Sequence, residues 1–221
     1  MHRGHSLNSF GTYPLYFNDA PEEGKKIIKQ VEDNYLSTIN WEDVDMYQSK
    51  WNPSIDTAYT TLGTNITNLI NYFYLTELKS FVHSCAKEYL DYCGWIYEDV
   101  KIEDSWTVFG TKGNVQGHHT HGWASQSNQI AGAFYVNAIQ DTNGGRLHMA
   151  APYEPKDDRT FPFGEKCPSY WAWDCKRGRI ILFPAWMIHW VSPIYLEDYT
   201  RISIAFNITA LGGQPNRVDK V

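Results

Sequence analysis

Cysteine is scarce, with four in 221 residues, and no two form a Cys-x-x-Cys pair. That removes the commonest zinc-ribbon and thiol-redox signatures. Cys85 and Cys93 lie eight apart in a helical pattern, a rise of about 12 Å, too far for a disulfide. Cys167 and Cys175 flank an aromatic loop; pairing or metal binding is open to them, and two idle thiols is the simpler reading. No run of eighteen apolar residues exists, so no membrane-spanning helix is expected. Met1–Phe10 is polar and lacks the apolar run of a secretory signal. The expected location is therefore the cytoplasm (a host's cytoplasm if the gene is a phage's), where the sequons at Asn65 and Asn207 carry no glycan. Excess positive charge is absent too. Nineteen Lys and Arg against 25 Asp and Glu give −6, which argues against a broad surface for duplex nucleic acid. There is no internal repeat, low-complexity tract or Gly/Ser linker, and the length suits one domain over 1–221.

Aromatic residues are plentiful at 15%, nine of them Trp and fifteen Tyr, which implies a large aromatic core or a stacking pocket. The chain changes character near residue 100. Before it the apolar period is helical: Ile27, Ile28, Val31 and Tyr35 follow Pro21, and Leu75, Leu78, Val82, Cys85 and Tyr89 form a second stripe. The opposite face of that stripe carries Lys79, Ser80, His83 and Lys87, so His83 reads as a solvated surface histidine. A polar segment from Trp41 to Leu62 is open to two readings, a loop over a site or a plain connection. Trp41, Trp51, Trp106 and Trp123 are candidate cleft residues, against the simpler reading that Trp is core.

After residue 100 short β segments alternate with turns: Ser105–Phe109, Ile130–Val136, Arg146–Ala150, Arg179–Phe183 and Arg201–Ile208. The chain from Trp186 to Val191 reads as a continuation of the fourth. Helices first and strands second give an α+β fold, with 1–100 mainly helical and 101–221 a β core.

The densest chemical feature is His118-His119-Thr120-His121. In an extended strand residues i and i+2 share a face, so His119 and His121 can converge on one ion while His118 points away. Imidazole suits Fe, Zn, Ni and Cu. His189 follows the hydrophobic Phe183-Pro184-Ala185-Trp186-Met187-Ile188, where an unpaired imidazole is costly to bury. Twelve residues on, Arg201-Ile202-Ser203 opens an otherwise apolar strand. By alternation Arg201, Ser203, Ala205 and Asn207 share one face, and Ile202, Ile204 and Phe206 the other. An Arg on such a face needs an anion, and its fork matches a carboxylate. An internal salt bridge would satisfy it equally well.

These residues resemble the iron- and 2-oxoglutarate-dependent oxygenase superfamily, and within it a group of oxygenases common in bacteriophage and bacterial genomes. The matching segments are Gly117–Asn137, Gly144–Pro152, Gly178–Pro193 and Arg201–Asn207, with a looser likeness at Phe10-Gly-Thr-Tyr-Pro-Leu-Tyr. The resemblance implies a double-stranded β-helix, a jelly-roll or cupin-like barrel, with N-terminal helices packed against it. It implies Fe(II) on His119, His121 and His189, with 2-oxoglutarate and O₂ as cosubstrates. Arg201 and Ser203 then match the Arg-x-Ser motif for the distal carboxylate, Tyr135 contacts the same cosubstrate, and Asn207 lines its pocket. Leu147 matches the pocket wall, which turns His148 away from the iron. The implied activity is that of a dioxygenase, an oxidoreductase that hydroxylates an unidentified substrate.

One departure is plain. The family supplies two His and one carboxylate, whereas His121 stands in the carboxylate position, and no Asp or Glu occurs from Ser105 through Gln140. Three neutral imidazoles leave the ion its full double charge. A three-His zinc hydrolase is one alternative, but it leaves Arg201, Ser203 and Tyr135 without a role. A non-catalytic jelly-roll binding module or phage structural protein is the other.

Overall fold

The computed structural model describes residues 4–10, 13–19, 21–40, 58–61, 65–121, 129–138, 144–150 and 170–215. Trp41, Trp51, Trp123, Cys167 and most of the Trp41-to-Leu62 segment lie outside the described residues.

Strands β1 (Gly4–Phe10) and β2 (Tyr13–Asp19) precede helix α1 (Pro21–Asn34). Then come β3 (Tyr59–Thr60), α2 (Leu69–Tyr72), α3 (Thr76–Tyr92), β4 (Trp95–Ile96), β5 (Asp99–Gly110), β6 (Gln116–His119) and β7 (Ile130–Asn137). The chain continues through β8 (Leu147–Ala150), β9 (Tyr170–Trp173), β10 (Arg179–Pro184), β11 (His189–Val191), β12 (Arg201–Leu211) and β13 (Gln214–Pro215). Among the described residues, the larger sheet has seven strands in the order β1-β2-β10-β7-β12-β5-β3. The smaller runs β6-β11-β8-β9, and β4 pairs with β13.

Both helical stripes are buried as their spacing predicts. In α1, Pro21 occupies the first position and Glu22 and Glu23 the first turn, where a missing N–H and a negative charge cost nothing or help. Ile27, Ile28, Val31 and Tyr35 meet Leu78, Val82, Cys85 and Tyr89 of α3 over the outer face of the large sheet. From β12 that layer takes Ile202, Ile204, Phe206 and Ile208, the even-numbered face. A second apolar layer joins Leu15, Phe17, Ala131, Ile181 and Phe183 of the large sheet to Leu147, Met149 and Val191 of the small one. The molecule is thus a pair of facing antiparallel sheets with helices on one outer side.

The first hundred residues are not only helical. β1 and β2 form the edge of the large sheet, with β2 seated on β10. β2 alternates as a half-buried strand should: Leu15 and Phe17 face the small sheet, and Tyr16 faces the helices. Its Pro14 lies beyond the residues paired with β10, so the missing N–H breaks no bond there. His83 is half-buried rather than solvated, and its burial lowers its pKa.

The chain beyond Phe183 does not continue one strand. After Pro184 it turns, the Met187 N–H donating to the Pro184 carbonyl at 3.0 Å. β11 then joins the other sheet between β6 and β8. Pro184 has no N–H with which to extend the pairing toward β2, the Ala185 N–H makes a last bond to the Gln129 carbonyl beyond β7 at 3.0 Å, and the change of sheet carries His189 across to β6.

Gly132, in the middle of β7, is held by close packing. A Cβ there would lie 2.6 Å from both Leu182 Cδ2 and Phe206 Cε2 and 2.7 Å from the Ile181 carbonyl oxygen. Gly132→Ala is expected to destabilise the fold by about 1–3 kcal/mol, the usual cost of overpacking. Urea unfolding checks this; an unchanged midpoint would mean the strands separate freely.

Candidate metal centre and anion pocket

His119 is the last residue of β6 and pairs directly across the ladder with His189, the first of β11. Their ring centroids are 4.1 Å apart. His121 lies two residues beyond β6, so strand alternation alone does not aim it. Its backbone N–H donates to the Ala185 carbonyl at 2.8 Å, tying it to the turn after β10. Its ring stands 4.9 Å from that of His189 and 5.4 Å from that of His119. One nitrogen from each of the three lies within 4.8 Å of the other two. His118 is exposed and packs on Trp190 instead. His148 stacks on the opposite side of the small sheet against Trp190, with Leu147 turned into the layer between the sheets.

Each imidazole has its Nδ1 engaged. His119 donates to the Gly117 carbonyl at 2.7 Å and His189 to the Met187 carbonyl at 2.9 Å. His121 Nδ1 donates to Asn207 Oδ1 at 2.6 Å. These acceptors place the proton on Nδ1 and leave each Nε2 lone pair free. Three unprotonated nitrogens facing one another repel, and a cation among them removes the repulsion. The donor set therefore fits a divalent transition metal. Burial lowers all three pKa values, that of His121 to about 4, and the neighbouring imidazoles push in the same direction for His121 and His189. The Asn207 bond opposes this at His121.

The depressed pKa values have a consequence for the metal-free protein. An unfolded His titrates near 6.5, so below that pH the unfolded chain takes up protons that the folded cluster refuses. The stability from these groups is complete above about pH 6.5 and is lost as pH falls toward about 4. For His121 alone the span corresponds to about 3 kcal/mol. Chelator-treated protein should show a lower urea midpoint at pH 5 than at pH 7.5, and His121→Asn should reduce the difference. A midpoint independent of pH would contradict the neutral cluster.

The second part of the site lies along the inward face of β12. Arg201 is 5% exposed, and no carboxylate among the described residues pairs with it. Its guanidinium reaches Ser203 Oγ at 3.3 Å and Cys175 Sγ at 3.9 Å, and its Nε has no partner among the described residues. Its Cζ sits 5.3 Å from the centre of the Tyr135 ring. Tyr135 lies across the ladder from Ser203, and burial pushes its hydroxyl pKa well above the ordinary value. Ser203 Oγ donates to the Val108 carbonyl at 3.4 Å. A buried cation without a counter-charge is costly, so the pocket fits an anion.

Between Arg201 and Asn207 the inward side chains of β12 are Ser203 and Ala205. Their small size keeps the strand face low between the guanidinium and His121. Trp106, opposite Ala205, packs its ring 5.4 Å from that of His121. Arg201, Ser203 and Tyr135 therefore lie together, and Asn207, on the same face of β12, meets His121. Two neighbours escape a reading by sequence. Cys175, an idle thiol by its spacing, is buried beside Arg201 and Tyr135. Asp104 faces Asn207 across the β5–β12 ladder, one residue outside the carboxylate-free window. Strand register brings Asp104 to the site, and the connection between β9 and β10 brings Cys175.

Residues 104–207 match a family model described as "Putative 2OG-Fe(II) oxygenase". No curated protein matches the chain. Solved structures share the fold at low identity. A prolyl-4-hydroxylase from Pseudomonas putida is 13% identical, with a TM-score of 0.51 over 95% of this chain and 94% of its own. A prolyl hydroxylase from Trichoplax adhaerens, in complex with a hypoxia inducible factor peptide fragment, is 13% identical, with a TM-score of 0.53 over 95% and 84%. HygX from Streptomyces hygroscopicus, with nickel and 2-oxoglutarate bound, is 10% identical, with a TM-score of 0.51 over 97% and 83%.

Proposed function

We propose, from the match of residues 104–207 to the 2OG-Fe(II) oxygenase family model, that the chain is an Fe(II)- and 2-oxoglutarate-dependent dioxygenase that hydroxylates its substrate. His119, His121 and His189 would hold Fe(II) through Nε2. Arg201 and Ser203, with Tyr135 beside them, would hold the distal carboxylate of 2-oxoglutarate. Bound Fe(II) supplies O₂ activation, coupling decarboxylation of 2-oxoglutarate to succinate and CO₂ with oxidation of a substrate C–H bond. The protein's own contribution is to fix three imidazoles by their Nδ1 bonds, to orient the cosubstrate by the guanidinium fork, and to exclude water behind Trp106, Tyr135 and Phe183.

The two facing sheets are read as a double-stranded β-helix, and 1–221 as one domain, because β2, α1 and α3 share the apolar layer of the core strands. Among the described residues no helix is long and apolar enough to cross a membrane. The observation that carries the reading is the pairing of a neutral three-imidazole cluster with a buried guanidinium that lacks a carboxylate partner among the described residues. A zinc hydrolase or an inert jelly roll has no use for that guanidinium. The test is aerobic incubation with Fe(II), ascorbate and 2-oxoglutarate. Succinate should form with wild type and not with His189→Ala; equal rates for the two would reject the proposal.

A further inference from the structure

Of the three clustered histidines, His121 alone is oriented by a side chain from a distant strand. His119 and His189 each bond a carbonyl two residues earlier in their own segments, contacts that no substitution of a partner side chain can remove. His121 depends on Asn207, 86 residues away. Asn207 in turn has a second partner. Asp104 lies opposite it in the β5–β12 ladder, and the Asn207 amide and backbone N–H favour the ionised Asp104 carboxyl, against the burial that raises its pKa. The register slips at this point: Asn207 faces Asp104, but Ile208 faces Ile102, so Glu103 is an extra residue on β5. Such a bulge re-aims the side chains beside it. Asp104 is half-buried, and its Oδ1 has no partner among the described residues.

We propose that Asp104 is a positioning residue for His121, acting through Asn207, and that it supplies from outside the ligand set the negative charge which three imidazoles lack. The proposal rests on the three-His reading above. An amide can present either its oxygen or its NH₂ to a neighbour. An ionised carboxylate only accepts, so Asp104 takes the NH₂ and leaves Oδ1 for His121. Oδ1 in turn takes the Nδ1 proton, which fixes the tautomer and turns the Nε2 lone pair toward the other two imidazoles. The chain carboxylate–amide–imidazole polarises the ring toward the metal, as a carboxylate bonded directly to a ligand histidine does. Asp104 thus restores part of the charge balance that His121 removed by standing where the family has an acid.

Co(II) titration without 2-oxoglutarate, followed by proton NMR of the loaded protein, tests this. High-spin Co(II) shifts the exchangeable N–H proton of each ligand imidazole out of the ordinary envelope. Wild type should give three such resonances, and His121→Ala should lose one. Asp104→Asn, on a half-exposed position, should leave three but make that same one exchange faster with water, and should weaken Co(II) binding about 10-fold. Asn207→Ala should lose that resonance and weaken binding by at least as much. The exchange Asp104→Asn with Asn207→Asp keeps the charge, size and hydrogen bonds and moves the carboxylate one step inward. It should return affinity to within about 3-fold of wild type, whereas Asn207→Asp alone sets two carboxylates face to face and should not. Unchanged affinity and exchange in Asp104→Asn would overturn the proposal, as would a double variant no better than its worse single. A wild type with no shifted resonances, or a His121→Ala variant that keeps three, would overturn the three-His reading itself.

Discussion

Arg201→Ala is expected to weaken 2-oxoglutarate binding by about 30-fold or more, equivalent to about 2 kcal/mol. The guanidinium is 5% exposed, and its contacts among the described residues are long and neutral: a hydroxyl at 3.3 Å, a thiol at 3.9 Å and the face of Tyr135. None of these offsets the loss of water around a full positive charge. A carboxylate entering the pocket meets a fork already oriented and desolvated, so little is spent on reorganisation. Arg201→Lys should also bind poorly, because an ammonium cannot reproduce the planar pair of donors. The effect on folding should have the opposite sign to that of an ordinary core truncation. Arg201→Met removes a buried charge that lacks a counter-ion, so the ligand-free variant should melt no lower than wild type. Added 2-oxoglutarate should then raise the melting temperature of the Fe(II)-loaded wild type only. Calorimetry and thermal melts check both parts; equal affinity in wild type and Arg201→Ala would remove Arg201 from the site.

The second large effect concerns the missing ligand carboxylate. His121→Ala should cost about 10-fold or more in Fe(II) affinity, the scale seen when a metal's surroundings are disturbed. His121→Asp should keep the fold and retain iron. Aspartate is smaller than histidine, and the change supplies the two-His, one-carboxylate set of the family the chain resembles while lowering the charge of the centre by one. Succinate formation should persist or rise in this variant. Iron content and 2-oxoglutarate decarboxylation, measured side by side in wild type and both variants, decide the matter. Equal iron in all three would show that His121 is not a ligand.

Much of the fold and the site is legible in the sequence because it depends on periodicity. The stripes of α1 and α3 and the two faces of β12 follow from side-chain spacing, and each is buried on the side its pattern assigns. The same holds for His118, which turns away from the cluster by simple alternation, whereas His148 is turned away only once the resemblance places Leu147 on the pocket wall. What the sequence hides depends on long-range pairing. β1 is polar and β2 holds a proline, so neither has the uniform pattern of a core strand, yet β10 gives β2 a partner 160 residues later in the chain. The turn at Pro184 interrupts a run that is hydrophobic on both sides, and hydrophobicity does not record a change of sheet. Asn207 sits on the face that alternation assigns it, but its bond to His121 follows from a bend beyond the end of β6. Asp104 joins the site through a one-residue slip in register, which no local pattern encodes.

Anaerobic calorimetry with Fe(II) followed by 2-oxoglutarate addresses the shared metal and anion site in one experiment. Wild type should bind one Fe(II) per chain and then one 2-oxoglutarate. The second event should be weak or absent when the metal is withheld, and also in His189→Ala and Arg201→Ala. A wild type that binds 2-oxoglutarate equally well with and without metal, or that takes up Fe(II) unchanged after loss of His189, would contradict a site built from these three imidazoles and this guanidinium.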